Sequence, residues 1–310
     1  MKIRKKDKKL LLTALVLLIF GGISIAFPQF FDTHKPVISY GEKMENQILS
    51  LHIIDVGQGS AALIKTADKA VLIDGGESFN SKMVTDYLSG EGIEEIDIVV
   101  GTHPHSDHYG GIPDVLANFK VNNIILPKLT EKQIPENKTW EQLMLALSKT
   151  SGKITYKDKK ETYDLGGGAV LELLGPFLKD EENLNNLSLC FKITVGDASF
   201  LITGDGETAV EDALRKNEDI DVDVLVAGHH GSATSSRTKF LNAVTPKISA
   251  VSVGENNKYS LPNEQVMERL HSFGEVFRTD FNGSVVFMTD GKSISVMTEN
   301  EPTKITNVAA

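Results

Sequence analysis

Residues 96–111 read "IDIVVGTHPHSDHYGG". The first half is an apolar, β-branched run of strand length. The second half packs three of the chain's eight histidines, with one aspartate, into positions 103–108. A strand that ends in a loop of ligand-type side chains belongs to an α/β domain, where the ends of strands face the crevice that binds ligands. His103 and His105, two apart in extended chain, can aim ring nitrogens at one ion, while Asp107 and His108 turn toward a second. Nitrogen and carboxylate donors at this spacing suit zinc, and also manganese or iron. A solvated polar turn has no need of such a density of histidine.

The segments on either side repeat the pattern. Strand candidates are "LSLHIIDV", "AALIK", "AVLID", "IDIVVGT", "VNNIILP", "AVLELLG", "LCFKITV", "SFLITGD", "VDVLVAG", "ISAVSVG", "GSVVFMT" and "SISVMT". Amphipathic spacing predicts helices at 81–90, 112–119, 139–149, 207–217, 236–243 and 263–272. Several strands follow one another without a helix between them, so two mixed sheets flanked by helices are expected rather than one parallel wound sheet. Glycine clusters close the strands at "DVGQGS", "LIDGG", "HYGG", "LITGDGE" and "GHHGS". Five loops are therefore expected to meet at one site.

Those loops offer the remaining donors. Asp205 ends an apolar strand, where its carboxylate can bridge two ions; as an isolated residue it would read as a helix cap ahead of Glu207. Of the pair in "VLVAGHHGS", His229 is assigned to the second ion and His230 to catalytic contact with substrate or a bound ligand. Asp74 in "VLIDGG" is expected to orient a ligating histidine, against the plain reading of a turn-forming aspartate before Gly-Gly. Ser232, Thr234, Ser235 and Ser236 offer hydroxyl donors, with Ser232, Lys258 and Tyr259 as candidate substrate contacts. Cys190, the single cysteine, sits in the apolar run "LSLCFKITV" and is expected to pack in the core.

The order "HIIDVGQGS", "VLIDGG", "THPHSDHYGG", "NNLSLCFKI", "LITGDGE", "GHHGSATSS", "VSVGENNKY" and "RTDFNG" resembles the metallo-β-lactamase superfamily, and within it the exported hydrolase domain of ComEC-type competence proteins. The resemblance covers about residues 49–297. It implies an αββα sandwich with a binuclear metal site at one edge, zinc first and manganese second, and a hydroxide between the ions that attacks the substrate while Asp107 holds it in line. Three departures stand out. Ser60 replaces the usual aspartate of "GQGD", and Leu261 replaces the histidine of "N-x-Y-G-H-P". The third histidine that many lactamases give the first ion is not evident, and the matching segment carries Asn185, Asn186 and Ser188. The implied activity is a phosphodiesterase acting on DNA, single-stranded DNA included, or on an envelope polymer. An envelope phosphocholine or teichoic-acid esterase is the alternative within the enzyme class. A degenerate domain that binds metal or phosphate without cutting is the alternative outside it.

The ends of the chain set its expected location. Residues 1–9, "MKIRKKDKK", form a basic cytoplasmic segment ahead of an apolar run at 10–27. That run is 18 residues long, near the roughly 20 that a spanning helix needs, and the flanking charge orients it by the positive-inside rule. It is read either as a signal anchor, giving a single-pass protein of the cell membrane with the catalytic domain outside, or as a signal peptide cut after "SIA", giving a secreted one. Residues 28–48 read as a linker and 298–310 as a flexible tail. Without residues 1–26, which hold six of the 32 basic and one of the 42 acidic residues, the remainder carries a net charge of −15. Such a balance excludes a broad electrostatic grip on nucleic acid, although a local pair of divalent cations binds phosphate regardless. No obligate protein partner is inferred.

Overall fold

Alternating apolar residues give the strands of two sheets, whose facing sides share one core. The computed structural model describes residues 36–300 except 176 and 181. The expectations for residues 1–35, the apolar run included, and for 301–310 lie outside the described residues. No helix among the described residues is long and apolar enough to cross a membrane.

The first sheet runs in the order β1 (Val37–Tyr40), β16 (Ser293–Thr298), β15 (Val285–Thr289), β2 (Leu49–Ile53), β3 (Ala62–Thr66), β4 (Ala70–Ile73), β5 (Glu95–Val100), β6 (Lys120–Pro127), β7 (Lys153–Lys157). The second runs β14 (Glu275–Arg278), β13 (Ile248–Val251), β12 (Val224–Val226), β11 (Ala198–Ile202), β10 (Cys190–Val195), β9 (Ala169–Leu174), β8 (Glu161–Gly166). Both sheets are mixed. Strands β4 to β7 are mutually parallel, as are β11 to β14, while hairpins supply the antiparallel remainder.

Leu49, Leu51 and Ile53 of β2 pack against Leu171, Phe191 and Phe200 of the other sheet, all at most 1% exposed. The outer face of the first sheet is covered by α1 (Ser81–Gly90), α3 (Ile112–Asn118) and α4 (Lys138–Lys149), which bury Val84, Leu88, Ile112, Val115, Leu143 and Leu147. A four-residue helix, α2 (Ser106–Tyr109), precedes α3. The outer face of the second sheet is covered by α5 (Thr208–Asn217), α6 (Thr238–Val244) and α7 (Glu264–His271), through Val210, Leu214, Phe240, Leu241, Val266 and Leu270. A last short helix, α8, spans Thr279–Asn282. The result is helix, sheet, sheet, helix. Cys190 lies fully buried in the outer cluster of the second sheet.

Four strands escape the expected list: β1, β7, β8 and β14. Residues 37–40, expected as linker, pair with β16 at a sheet edge, and β7 and β8 close the far edges. Edge strands need no apolar run, because one side faces solvent and charged residues there discourage unwanted pairing. Lys153 and Glu161 are of this kind.

The parallel halves set the site. Loops after β4, β5, β11, β12 and β13 all leave carboxyl ends of strands, and each carries a residue discussed below. Two of these turns nearly touch. The Gly75 amide donates to the His108 carbonyl at 2.6 Å, and the Gly111 amide to the Gly76 carbonyl at 3.0 Å. A Cβ on Gly111 would stand 2.0 Å from the Gly75 oxygen, and one on Gly75 would stand 2.9 Å from the Ile112 nitrogen. Glycine is required at both for the turns of "LIDGG" and "HYGG" to pack backbone to backbone.

Candidate metal centre

Asp205, on the loop after β11, is the hub. Its Oδ1 lies 3.1 Å from His108 Nε2, and its Oδ2 lies 3.6 Å from His230 Nε2 and 3.8 Å from His103 Nε2. Two donor groups form around it: Asp107, His108, Asp205 and His230, and His103, His105 and Asp205. Within each group one donor atom per residue lies within 4.8 Å of all the others. His103, His108, Asp205 and His230 are at most 4% exposed.

The ring orientations follow from what the far nitrogens touch. His108 Nδ1 donates to Asp74 Oδ2 at 2.7 Å, and His230 Nδ1 donates to the Ser252 carbonyl at 2.8 Å. Each bond places a proton on Nδ1 and leaves Nε2 as the nitrogen that faces the cluster. Asp74 also accepts the Thr102 amide at 2.8 Å and the Thr102 hydroxyl at 2.9 Å. It therefore ties the first turn after β5 to His108. It does so from a left-handed backbone, φ 63°, which aspartate tolerates better than most residues.

The donor chemistry fits a pair of cations. His103 Nε2 and His105 Nδ1 lie 3.1 Å apart, close enough to share one hydrogen bond whose direction the tautomers decide, and close enough to face one ion. His108 Nε2 is buried in no aligned hydrogen bond, and the side-chain oxygen of Asn185 is buried without a partner. The electrostatics agree. Burial disfavours charge on His108, yet the Asp205 and Asp74 carboxylates overcome it and hold its pKa well above the usual imidazole range. Burial likewise opposes charge on His230, and Asp205 and Asp107 raise it nonetheless. Burial would raise Asp205, but His108 and His230 hold it well below the usual carboxylate range. Asp107 is held low in the same way, burial being outweighed by the His230 hydrogen bond and the His108 charge. His103 is pushed well below its usual value by burial and by His108. The carboxylates draw positive charge to this place, as a cation site must.

Of the adjacent histidines, the geometry brings His230 and not the expected His229 into the candidate donor set. His229 Nε2 stays 3.8 Å from Asp205, while its Nδ1 meets the Thr234 hydroxyl at 3.0 Å and Glu207 at 3.4 Å. Both residues have positive φ, 53° and 52°, so the chain turns the second ring inward and leaves the first on the wall. This turn has no signature in "GHHGS".

A cavity of about 480 Å³ opens over the cluster, lined by Gln58, His105, Asp107, Asn185, His229 and Tyr259 among others. Leu261 also lines it, an apolar group where the resemblance expects an imidazole. Lys258 sits over the Tyr259 ring, 5.0 Å from its centroid, and both are exposed at the rim. Ser232 bonds Thr234 at 3.1 Å, joining His229 through a chain of hydroxyls and not lining the cavity. Ser60 keeps its place by backbone alone, its amide donating to the Asp107 carbonyl at 3.0 Å and its carbonyl accepting from Gly76 at 2.8 Å. The aspartate-to-serine change therefore leaves the donor cluster intact.

Two residues the motif reading passed over hold the walls. Glu207 accepts side-chain amides of Asn183 at 2.9 Å and Asn185 at 3.0 Å. Glu211, 3% exposed, accepts the Ser236 and Arg237 amides and so anchors the loop that carries both histidines. Burial lifts its pKa to about 7, against those two hydrogen bonds. On the outer face of the first sheet, His52 is held between Ser50 and Tyr87, each at 2.8 Å, and burial lowers it to about 4.

These two groups give opposite pH dependences of stability. Glu211 binds its proton more tightly when folded, so its contribution is complete below about pH 4.5 and is lost as pH rises through about 7. His52 binds its proton less tightly when folded, so its contribution is complete above about pH 6.5 and is lost as pH falls through about 4. Each is worth about 3 kcal/mol across its window. Relative to wild type, Glu211→Gln is expected to make stability rise from pH 4.5 to 6.5, and His52→Gln to make it fall. Urea unfolding of metal-free protein across that range checks both, and three parallel curves would contradict them.

Comparisons with known proteins bear on the family and the fold. ComE operon protein 3 of Bacillus subtilis (strain 168) is 27% identical over 292 residues, covering 87% of this chain and 36% of that protein. Competence protein ComA of Neisseria gonorrhoeae is 30% identical over 263 residues, covering 83% and 34%. The chain thus spans about a third of the length of these relatives. Among solved structures, CmlA, a diiron β-hydroxylase from Streptomyces venezuelae, matches with a TM-score of 0.53 at 16% identity, over 80% of this chain and 55% of that one. The metallo-β-lactamase fold protein YhfI of Bacillus subtilis matches at 0.50 and 14%, over 78% and 100%. These two speak for the fold. The metallo-beta-lactamase superfamily pattern matches residues 54–255, which contain every donor of the cluster and Asp74 behind it, and the chain belongs to that superfamily.

Proposed function

We propose that the protein is a binuclear metal-dependent phosphodiesterase, held at the outer side of the cell membrane by its N-terminal segment or released there by cleavage. The convergence of two donor groups on one shared carboxylate, under an open cavity, carries this reading. Asp107, His108, Asp205 and His230 would hold one ion and His103, His105 and Asp205 the other, zinc first and manganese second. Two such ions would lower the pKa of water toward 7 and neutralise charge on the group under attack.

The charge balance favours an anionic substrate. Two divalent cations would bring four positive charges against the two carboxylates, Asp107 and Asp205, that face them. A phosphodiester offers two non-bridging oxygens to that surplus; a neutral lactam or ester offers less. The chain's own residues supply the rest. His229, with Nδ1 bonded to the Thr234 hydroxyl and Nε2 3.4 Å from the Asn185 amide nitrogen, forms a polar wall of the cavity beside the metal pair. Tyr259 offers an aromatic face, and Lys258 above it a cation, for the part of the substrate outside the metal pair. DNA, single strands above all, fits an aromatic rim and a phosphate-binding floor. The competence proteins among the relatives lend support to that substrate. An envelope phosphocholine or teichoic-acid ester is the second candidate, favoured by the net charge of −15 on the part after residue 26, which repels long duplexes.

Purified full-length chain loaded with zinc or manganese is expected to hydrolyse bis(p-nitrophenyl) phosphate and single-stranded DNA, with cephalosporin turnover at least about a hundredfold lower in kcat/KM, a difference of nearly 3 kcal/mol in transition-state binding. Stoichiometric metal binding with no phosphodiester cleavage would replace the enzyme by a degenerate binding domain.

A further inference from the structure

The two donor groups are unequal. One contains four residues and the other three, so a tetrahedral ion in the second would lack a protein contact or depend on solvent for it. We propose that Asn185 supplies that contact through its side-chain oxygen, as the fourth protein donor beside His103, His105 and Asp205. The assignment rests on the binuclear reading above.

Asn185 is 7% exposed, lines the cavity and lies in the 3-10 turn Leu184–Leu187. Its amide group has only one sensible orientation. Glu207 can only accept, so the Nδ2 that meets it at 3.0 Å must be the nitrogen, which leaves Oδ1 on the opposite side. The same Nδ2 lies 3.4 Å from His229 Nε2, which in turn lies 3.8 Å from Asp205 Oδ2. Oδ1 has no hydrogen-bond partner although it is buried. A buried carbonyl oxygen left without a partner is unfavourable, and a ligand or cation would remove that penalty. His105 and Asp205, two of the three donors of the smaller group, line the same cavity as Asn185.

The turn is built to hold this side chain still. The Asn185 amide donates to Asn183 Oδ1 at 3.1 Å, and its carbonyl accepts the Ser188 amide at 3.1 Å and the Ser188 hydroxyl at 2.7 Å. Asn183 bonds the other oxygen of Glu207 at 2.9 Å. Glu207 is thus a positioning residue that aims the amide oxygen. A neutral oxygen in place of an imidazole would bind its ion more weakly and make the two positions unequal in affinity.

Metal titration of the full chain, followed by calorimetry and by the visible spectrum of bound cobalt(II), tests this. Wild type is expected to take two ions. Asn185→Ala is expected to keep one at wild-type affinity and to weaken the other at least about tenfold, with loss of one cobalt(II) spectral component. Asn185→His should restore the second ion, which a structural role for the asparagine would not allow. Two ions at unchanged affinity in Asn185→Ala would overturn the assignment. Fewer than two in wild type, or both retained in Asp205→Ala, would overturn the binuclear reading and the assignment with it.

Discussion

Asp205→Ala is expected to remove both ions at micromolar metal and to lower phosphodiester turnover at least about a thousandfold, since the Lewis-acid contribution at stake is several kcal/mol. Among the described residues no other belongs to both donor groups. His103, His108 and His230 point Nε2 at this carboxylate from three directions at 3.1 to 3.8 Å, so its loss also takes away the negative charge that offsets burial of His108 and His230. The metal-free variant should therefore lose stability as well, most at low pH, where those rings carry charge. Removing one partner of a buried pair costs about 3–5 kcal/mol. Elemental analysis of the purified variant and its bis(p-nitrophenyl) phosphate rate decide the matter. Two ions retained, or more than a tenth of wild-type turnover, would show that Asp205 is not the bridge.

What could be read from residue order alone divides along physical lines. The core strands and the six longer helices were legible because burial on one or both faces forces a period, and a period survives in sequence. Asp74, His103, His105, Asp107, His108 and Asp205 were legible because each stands just past an apolar strand, where a polar ligand-type residue has no packing reason to be. Strands β1, β7, β8 and β14 were not, since edge position relaxes the pattern and leaves lysine, glutamate and tyrosine in place of valine. The order of His229 and His230 depends on two successive left-handed residues, and adjacent identical side chains give no hint of which will turn inward. Glu207 and Glu211 escaped for another reason. Their partners are amides 22 to 26 residues away, and hydrogen bonds at that range leave no spacing to recognise. Asn185 stood out only as a departure from the resemblance, and its orphan oxygen gives that departure a role.

Asp74 separates metal binding from folding, because its two substitutions fail differently. The carboxylate accepts from three donors, the Thr102 amide, the Thr102 hydroxyl and His108 Nδ1. Asp74→Ala leaves all three without this partner in a buried place, at about 1–3 kcal/mol each, and sets alanine at φ 63°. A loss of about 4 kcal/mol or more, enough to leave much of the chain unfolded, is expected from urea unfolding. Asp74→Asn keeps the shape and the tolerance for that backbone. Its amide nitrogen must nevertheless face one set of donors. Turned toward His108, it favours the tautomer with the proton on Nε2 and closes the electron pair that faces Asp205. Turned toward the Thr102 amide, it opposes two N–H groups at the first turn of the site. Either way one ion should bind about 10–100-fold more weakly while the fold persists, and excess metal should recover much of the turnover. Equal metal affinity in wild type and Asp74→Asn would mean that His108 needs no orienting partner. Its role would then rest on the 3.1 Å approach to Asp205 alone.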